Sequence, residues 1–198
     1  MKSIVHYFED ISIDNTDITF TIARERMKAL GLKKMVLAST TGATAGKALE
    51  FFRDDDIKLI VIPHQHDFKR TLNPFPQDLT STLREAGHIV HFGTMLFHTD
   101  NLYESKTPIL MANLLRCFSQ GVKVCFEIVL MATDAGHLKP GEKILAIAGT
   151  GRGSDTALVM QAASSQNLKN LRVNEILCKP LNPLNIEELM EKLAVKQQ

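Results

Sequence analysis

Two stretches of this sequence combine glycine and hydroxyl residues in a pattern suited to holding an anion. The first is Ser39-Thr40-Thr41-Gly42-Ala43-Thr44-Ala45-Gly46-Lys47, which sets four hydroxyls and Gly42 between an apolar run and the start of a helical pattern. Unpaired N–H groups at a helix N-terminus point at an incoming ligand, and the aligned peptide dipoles favour negative charge there. The same residues also make an ordinary Ser/Thr cap and turn, although four hydroxyls exceed what one cap requires. The second stretch is Gly149-Thr150-Gly151-Arg152-Gly153-Ser154-Asp155-Thr156-Ala157. Its alternating glycines free the backbone for a concave turn whose N–H groups can ring an anion. Arg152 can reach a phosphate or stack on a ring, and Ser154 or Asp155 is placed to cap a following helix. A surface turn without function has a similar composition, so the two loops weigh more together than either does separately.

Neither loop is a standard nucleotide motif. A triphosphate loop needs four residues between Gly and Gly-Lys, then Ser or Thr for magnesium; here three residues separate Gly42 from Gly46, and Ala48 follows Lys47. The second loop lacks the Gly-x-Gly-x-x-Gly spacing of a dinucleotide fold.

Other residues capable of chemistry are Glu127 and Asp134, which interrupt the apolar helical stretch Val122 to Ala135 and share one face two turns apart. A carboxylate in apolar surroundings is costly unless paired, so each belongs to a pocket wall or to a core partner. His64-Gln65-His66-Asp67 follows an apolar run, and His91 and His98 lie further on. His-x-His spacing alone does not supply the geometry a metal needs, and no metal site is expected. Cys117, Cys125 and Cys178 form no Cys-x-x-Cys pair and are expected as small buried hydrophobes.

The elements that must position these residues are legible as alternation. Strands are expected at Lys34–Ala38, Lys58–Ile62, His88–Phe92, Lys143–Ala148 and about Val173–Lys179, with a short edge segment at Ile4–Phe8. Helices are expected at Thr16–Leu30, Ala43–Arg53, Pro76–Ala86, Pro108 to about Gly136 with a break near Gly121, Ser154–Ser165 and Ile186–Val195. The pattern reads as one α/β domain, residues 1–198, with parallel strands and helices on both faces. The roughly fifty-residue connection from the third strand to the fourth is where the chain crosses back past the first. The spatial order is then 3-2-1-4-5, reversing between strands one and four, and ligands bind outside the carboxyl ends of strands at such a reversal. Both loops follow those two strands.

The totals set the class. The chain has 198 residues, is 44% apolar and 23% charged, and carries a formal net charge of +1, so it can bury one sizeable core. It lacks the basic face that non-specific nucleic-acid binding needs, and it has no apolar run long enough to span a membrane. The opening Met1-Lys2-Ser3-Ile4-Val5-His6 has no signal-peptide layout, so a cytoplasmic location is expected.

The pattern Ser39-x-x-Gly42-x-Thr44-Ala45 with Gly149-Thr150-x-x-Gly153-x-Asp155-Thr156-Ala157 resembles the stand-alone relatives of the pyruvate kinase C-terminal domain. Tyr7-Phe8-Glu9 with Asn15-Thr16, Gln120 to Glu127 and Met131 to Gly136 resemble further stretches of that family, so that nearly the whole chain is covered. Ile11-Ser12-Ile13 departs from the family's expected Pro-Gly turn, and the segment between Gly93 and Pro108 is shorter and less glycine-rich. The resemblance implies a three-layer α/β/α fold, a mostly parallel five-stranded sheet of order 3-2-1-4-5, and a last strand that is antiparallel. It implies that Ser39, Thr40, Thr41, Gly42 and Thr44 take a phosphate, and that the ligand is flavin mononucleotide (FMN). The catalytic barrel of pyruvate kinase is absent, so kinase activity does not transfer.

The expected function is binding of a phosphorylated small molecule, FMN foremost, in a homo-oligomer. Ser39, Thr40, Thr41, Gly42, Ala43 and Thr44 would anchor the phosphate. Gly149, Thr150, Gly151, Arg152, Gly153, Ser154, Asp155 and Thr156 would close over the polyol, with His64, Thr94 and Glu127 at the ring end. If the protein is an enzyme, flavin redox chemistry is the natural class. The alternative is a non-catalytic sensor of a sugar phosphate or nucleotide; metal-assisted hydrolysis is a remote third.

Overall fold

The structure, a computed structural model, describes residues 4–68 and 72–195. In chain order the elements are β1 (His6–Phe8), α1 (Thr16–Leu30), β2 (Lys34–Ala38), α2 (Ala43–Phe51), β3 (Lys58–Ile62), α3 (Gln77–Glu85) and β4 (Ile89–Val90). There follow α4 (Asp100–Tyr103), α5 (Thr107–Arg116), α6 (Gln120–Asp134), β5 (Lys143–Ala148), β6 (Thr156–Gln161), β7 (Arg172–Pro180) and α7 (Ile186–Val195), with 3-10 turns at Leu96–His98 and Ser165–Asn170.

The strands form one mixed seven-stranded sheet of order β1-β7-β6-β5-β2-β3-β4. Side chains alternate across a strand, and the sheet sorts them into two cores. Met35, Leu37, Leu59, Val61, Leu145 and Ile147 pack with Phe20, Ala23 and Met27 of α1, Ala45 and Ala48 of α2 and Leu83 of α3. Val36, Ile60, Ile62, Ile144 and Ala146 pack on the other face with Val122, Cys125, Ile128, Val129 and Ala132 of α6. Helix α1 ends at Gly31, whose left-handed backbone lets its N–H reach the last carbonyls. Helix α6 begins at Ser119, whose Oγ accepts a hydrogen bond from the Val122 N–H at 3.0 Å.

Four of the expected strands take their expected places, in the order β4-β3-β2-β5. The five-stranded count is corrected to seven. The stretch expected as a helix from Ser154 to Ser165 is instead strand β6, antiparallel to both β5 and β7. The physical reason is that Thr156-Ala-Leu-Val-Met-Gln161 is covered on both faces, with Ala157 and Val159 in one core and Leu158 and Met160 in the other. A continuous apolar run of this kind carries no periodicity with which to separate strand from helix. The expected antiparallel last strand is corrected too: β7 opposes its neighbour β6 but runs with β5, and β1 pairs parallel to it. The helical region after Pro108 breaks at Cys117–Ser119, just before Gly121. Among the described residues no helix is long and apolar enough to cross a membrane.

Candidate functional site

Strands β2 and β5 are parallel neighbours with Leu37 opposite Ile147, so both end at the same edge of the sheet. The chain runs from β2 out through β3 and β4, then returns to β5 on the other side of β2. The order reverses there, and the two glycine- and hydroxyl-rich loops leave from that point side by side. Their charges meet as well: Arg152 of the second loop is close enough for its like charge to act on Lys47 beside the first.

The first loop turns into α2 at Gly42, which has a left-handed backbone (φ 86°) and sits against α3. A Cβ there would lie 2.7 Å from Leu79 Cδ2 and 2.8 Å from Pro76 Cδ, so only glycine fits without displacement. Ser39 is buried, and its Oγ accepts from the Ala45 N–H at 3.2 Å, so this hydroxyl acts as a cap. Thr40 and Thr41 are exposed and Thr44 is half-buried at the helix start, with Ala43 exposed beside it. Thr40 Oγ1 lies 3.2 Å from His64 Nε2 at the end of β3. Aromatic contacts continue from there, His64 to Phe68 and Phe68 to His98, each with ring centroids 5.0 Å apart.

The second loop is a β5–β6 hairpin and not a strand-to-helix turn, so Ser154 and Asp155 do not cap a helix that follows them. Asp155 is buried and closes the loop on itself. Its Oδ2 accepts from the Thr150 N–H at 2.9 Å and its Oδ1 from the Thr156 hydroxyl at 2.8 Å. The start of α1 fastens the loop from outside: the Ser154 N–H donates to Thr16 Oγ1 at 2.8 Å, and Thr19 Oγ1 donates to the Ser154 carbonyl at 3.1 Å. Gly153, with φ 68°, approaches so near that a Cβ would collide with the Asp14 carboxylate. Gly149 is half-buried, Gly151 and Arg152 are exposed, and Thr156 is buried against Ser119. The buried Thr150 and Ser154 hydroxyls have no hydrogen-bond partner among the described residues. An unpartnered buried hydroxyl is unusual and marks a place where a donor or acceptor is free.

Asp14 ties the two loops. Its Oδ2 accepts from Lys47 Nζ at 2.8 Å, and its Oδ1 accepts from the Thr16 N–H at 3.0 Å. Burial alone would raise this carboxyl. Hydrogen bonds from Lys47 and from the hydroxyl and N–H of Thr16 outweigh it and bring the pKa down to about 2.

Behind the loops, the first turns of α6 carry a buried ion pair. Lys123 Nζ donates to Glu127 Oε2 at 2.6 Å and lies 3.1 Å from His98 Nε2, and both partners of the pair are almost fully buried. Glu127 Oε1 accepts from the Phe97 N–H at 2.8 Å. Glu127 therefore stands behind the surface, latching the Leu96–His98 turn, while Thr94 is exposed at the start of that segment. Burial pushes the Lys123 ammonium below its usual range, and Glu127 opposes that shift. Arg116, also nearly buried, donates to the Gln120 and Asn113 side-chain oxygens at 2.8 and 2.7 Å. Asp134 does not share Glu127's environment; it is exposed and accepts from the Ser165 N–H at 2.8 Å. Cys117 is exposed, contrary to expectation, whereas burial raises the Cys125 thiol and pushes Cys178 up to about 12.

Sequence reasoning missed the roles of Thr16 and Thr19, which hold the second loop from more than 130 positions away, and of Asp14, which bonds Thr16 and Lys47. It also missed Lys123, although Lys123 and Glu127 stand at i, i+4 on one apolar helix, a readable signal. Among the described residues, no group of three or more His, Cys, Asp or Glu could hold a metal ion. Two shallow grooves, of about 380 and 550 Å³, lie at the opposite, amino edge of the sheet and share Phe52, Asp55, Asp56 and Ile57. Several of the charges lining them are paired, Arg24 and Lys28 to Asp55 and Lys33 to Asp56. No protein-family model matches the chain.

Proposed function

We propose that the protein binds a phosphorylated small molecule at the carboxyl edge of the sheet, between the loops that follow β2 and β5. The observation that carries this reading is the departure of both loops from neighbouring strand ends at the reversal of strand order. The first turn of the nine-residue helix α2 offers N–H donors and a positive dipole end beside Thr40, Thr41 and Thr44. Arg152 adds an exposed cation at the junction, beside Lys47, which is itself paired with Asp14, and Thr150 and Ser154 have hydroxyls to spare.

FMN is the ligand we put forward, on the resemblance to the stand-alone relatives of the pyruvate kinase C-terminal domain. The His64, Phe68 and His98 rings leading away from Thr40 supply flat surfaces of the kind an isoalloxazine ring stacks on. In that case the cofactor would carry any hydride chemistry and the protein would hold and orient it. One observation favours the second reading, a sensor of a sugar phosphate without catalysis. The carboxylates at this edge, Asp14, Glu127 and Asp155, each accept hydrogen bonds from the protein itself.

The test is mass spectrometry of small molecules released from freshly purified protein, with the absorption spectrum beforehand. FMN and flavin absorbance support the first reading. A colourless protein whose melting temperature rises with sugar phosphates, but not with FMN, supports the second. No stabilisation by any phosphorylated ligand tried, at concentrations that mass action requires for detection, would count against both.

A further inference from the structure

Away from the loops, six large apolar side chains are exposed within one segment. Leu102, Tyr103, Leu110 and Leu114 each expose roughly two-thirds of their surface, and Ile109 and Phe118 about half. Helix α5 has no charged residue before Arg116. A surface helix ordinarily turns charged residues to water, yet this one turns Ile109, Leu110 and Leu114 outward. Leu110 and Leu114 lie four positions apart on one face of α5, and the exposed Phe118 follows in the turn just past the helix end. Together the six residues expose on the order of 600–700 Å², near the roughly 800 Å² per partner of a standard interface.

We infer that this face is where two copies of the chain meet, α5 against α5 about a two-fold axis near Leu114. Antiparallel pairing brings the Leu110–Leu114 face of one copy against that of the other, with Phe118 beyond the helix end at its margin, so apolar surface meets apolar surface. A two-fold interface is self-complementary, and a stripe without charge meets that condition by itself. The alternative occupant, a lipid surface, calls for a basic rim. The rim here is mixed, with Asp100, Glu104 and Lys106 all exposed or half-exposed.

Sedimentation equilibrium across a wide concentration range tests the inference, with the thiol reactivity of Cys117 as a second readout. Cys117 is the exposed cysteine of the three and adjoins Phe118. The wild-type chain is expected at twice its monomer mass. Leu114→Glu is expected to halve that mass, leave the circular dichroism unchanged and speed Cys117 labelling several-fold. Should Leu114→Glu fail to fold, Leu110→Lys on the same stripe gives the same reading. A wild-type monomer at every concentration, a folded variant that stays dimeric, or a monomer captured on anionic vesicles would each overturn the inference.

Discussion

The two edges of the sheet treat charge differently. At the amino edge, Lys33–Asp56 lies in water with both side chains mostly exposed, and Asp55, the most buried charge there, is held between Arg24 and the exposed Lys28. At the carboxyl edge, Lys123, Glu127, Asp155, Thr150 and Ser154 are buried, and most of their polar atoms are assigned to named partners. Exposed pairs contribute little because water screens them and two long side chains must be ordered. A buried pair is different: removing one partner strands the other in a low-dielectric interior. Concavity alone therefore favours the amino edge, whereas the unpartnered Thr150 and Ser154 hydroxyls and the paired loop exits favour the edge at which we propose binding.

That contrast breaks most visibly at Glu127. Glu127→Ala leaves the Lys123 ammonium buried without its carboxylate and releases the Phe97 N–H, so urea unfolding is expected to show a loss of about 3–5 kcal/mol. A loss no greater than that of a surface pair would erase the distinction between the edges. Next comes Gly42→Ala, where a left-handed backbone and contact with Leu79 and Pro76 predict a loss of about 1–3 kcal/mol and a displaced first loop.

Asp14 sharpens the comparison through pH. Its folded pKa, about 2, lies below the ordinary 3.8, so its contribution is fully present above 3.8 and is lost as pH falls from there towards 2. The side chain is 40% exposed, which discounts the effect to on the order of 1 kcal/mol. Asp14→Asn should flatten stability across that acid window in denaturation curves recorded at stepped pH; an unchanged curve would mean that Lys47 and Thr16 do not favour the ionised carboxylate. The smallest effect belongs to the amino edge: Asp56→Ala should leave the unfolding midpoint where it was.

Much of this was legible in the chain. Helix α1 shows in the spacing of Ile18, Ile22, Met27 and Leu30 and in its Gly31 stop, although Ile18 is exposed and the buried face is that of Phe20, Ala23 and Met27. The strands β2, β3 and β5 stand out as apolar runs before loops. The neighbouring exits of the two loops followed from connection length alone. Strand β6 was hidden because both of its faces are covered, and the second loop was in consequence misread as a helix start. The clasp of Thr16 and Thr19 on Ser154 is formed across some 135 residues of chain, and no local pattern encodes it. Asp134 and Glu127 look alike in sequence because heptad spacing reports a shared face. It does not report how near the helix end each one lies.

The most direct measurement is a backbone amide NMR titration with FMN and, in parallel, with phosphate-free riboflavin. Our account predicts that FMN shifts the amides of Thr41 to Ala45 and of Thr150 to Ser154 together, and that riboflavin leaves the first group largely unmoved. Shifts confined to the Phe52–Ile57 edge, or equal responses to both ligands, would contradict it.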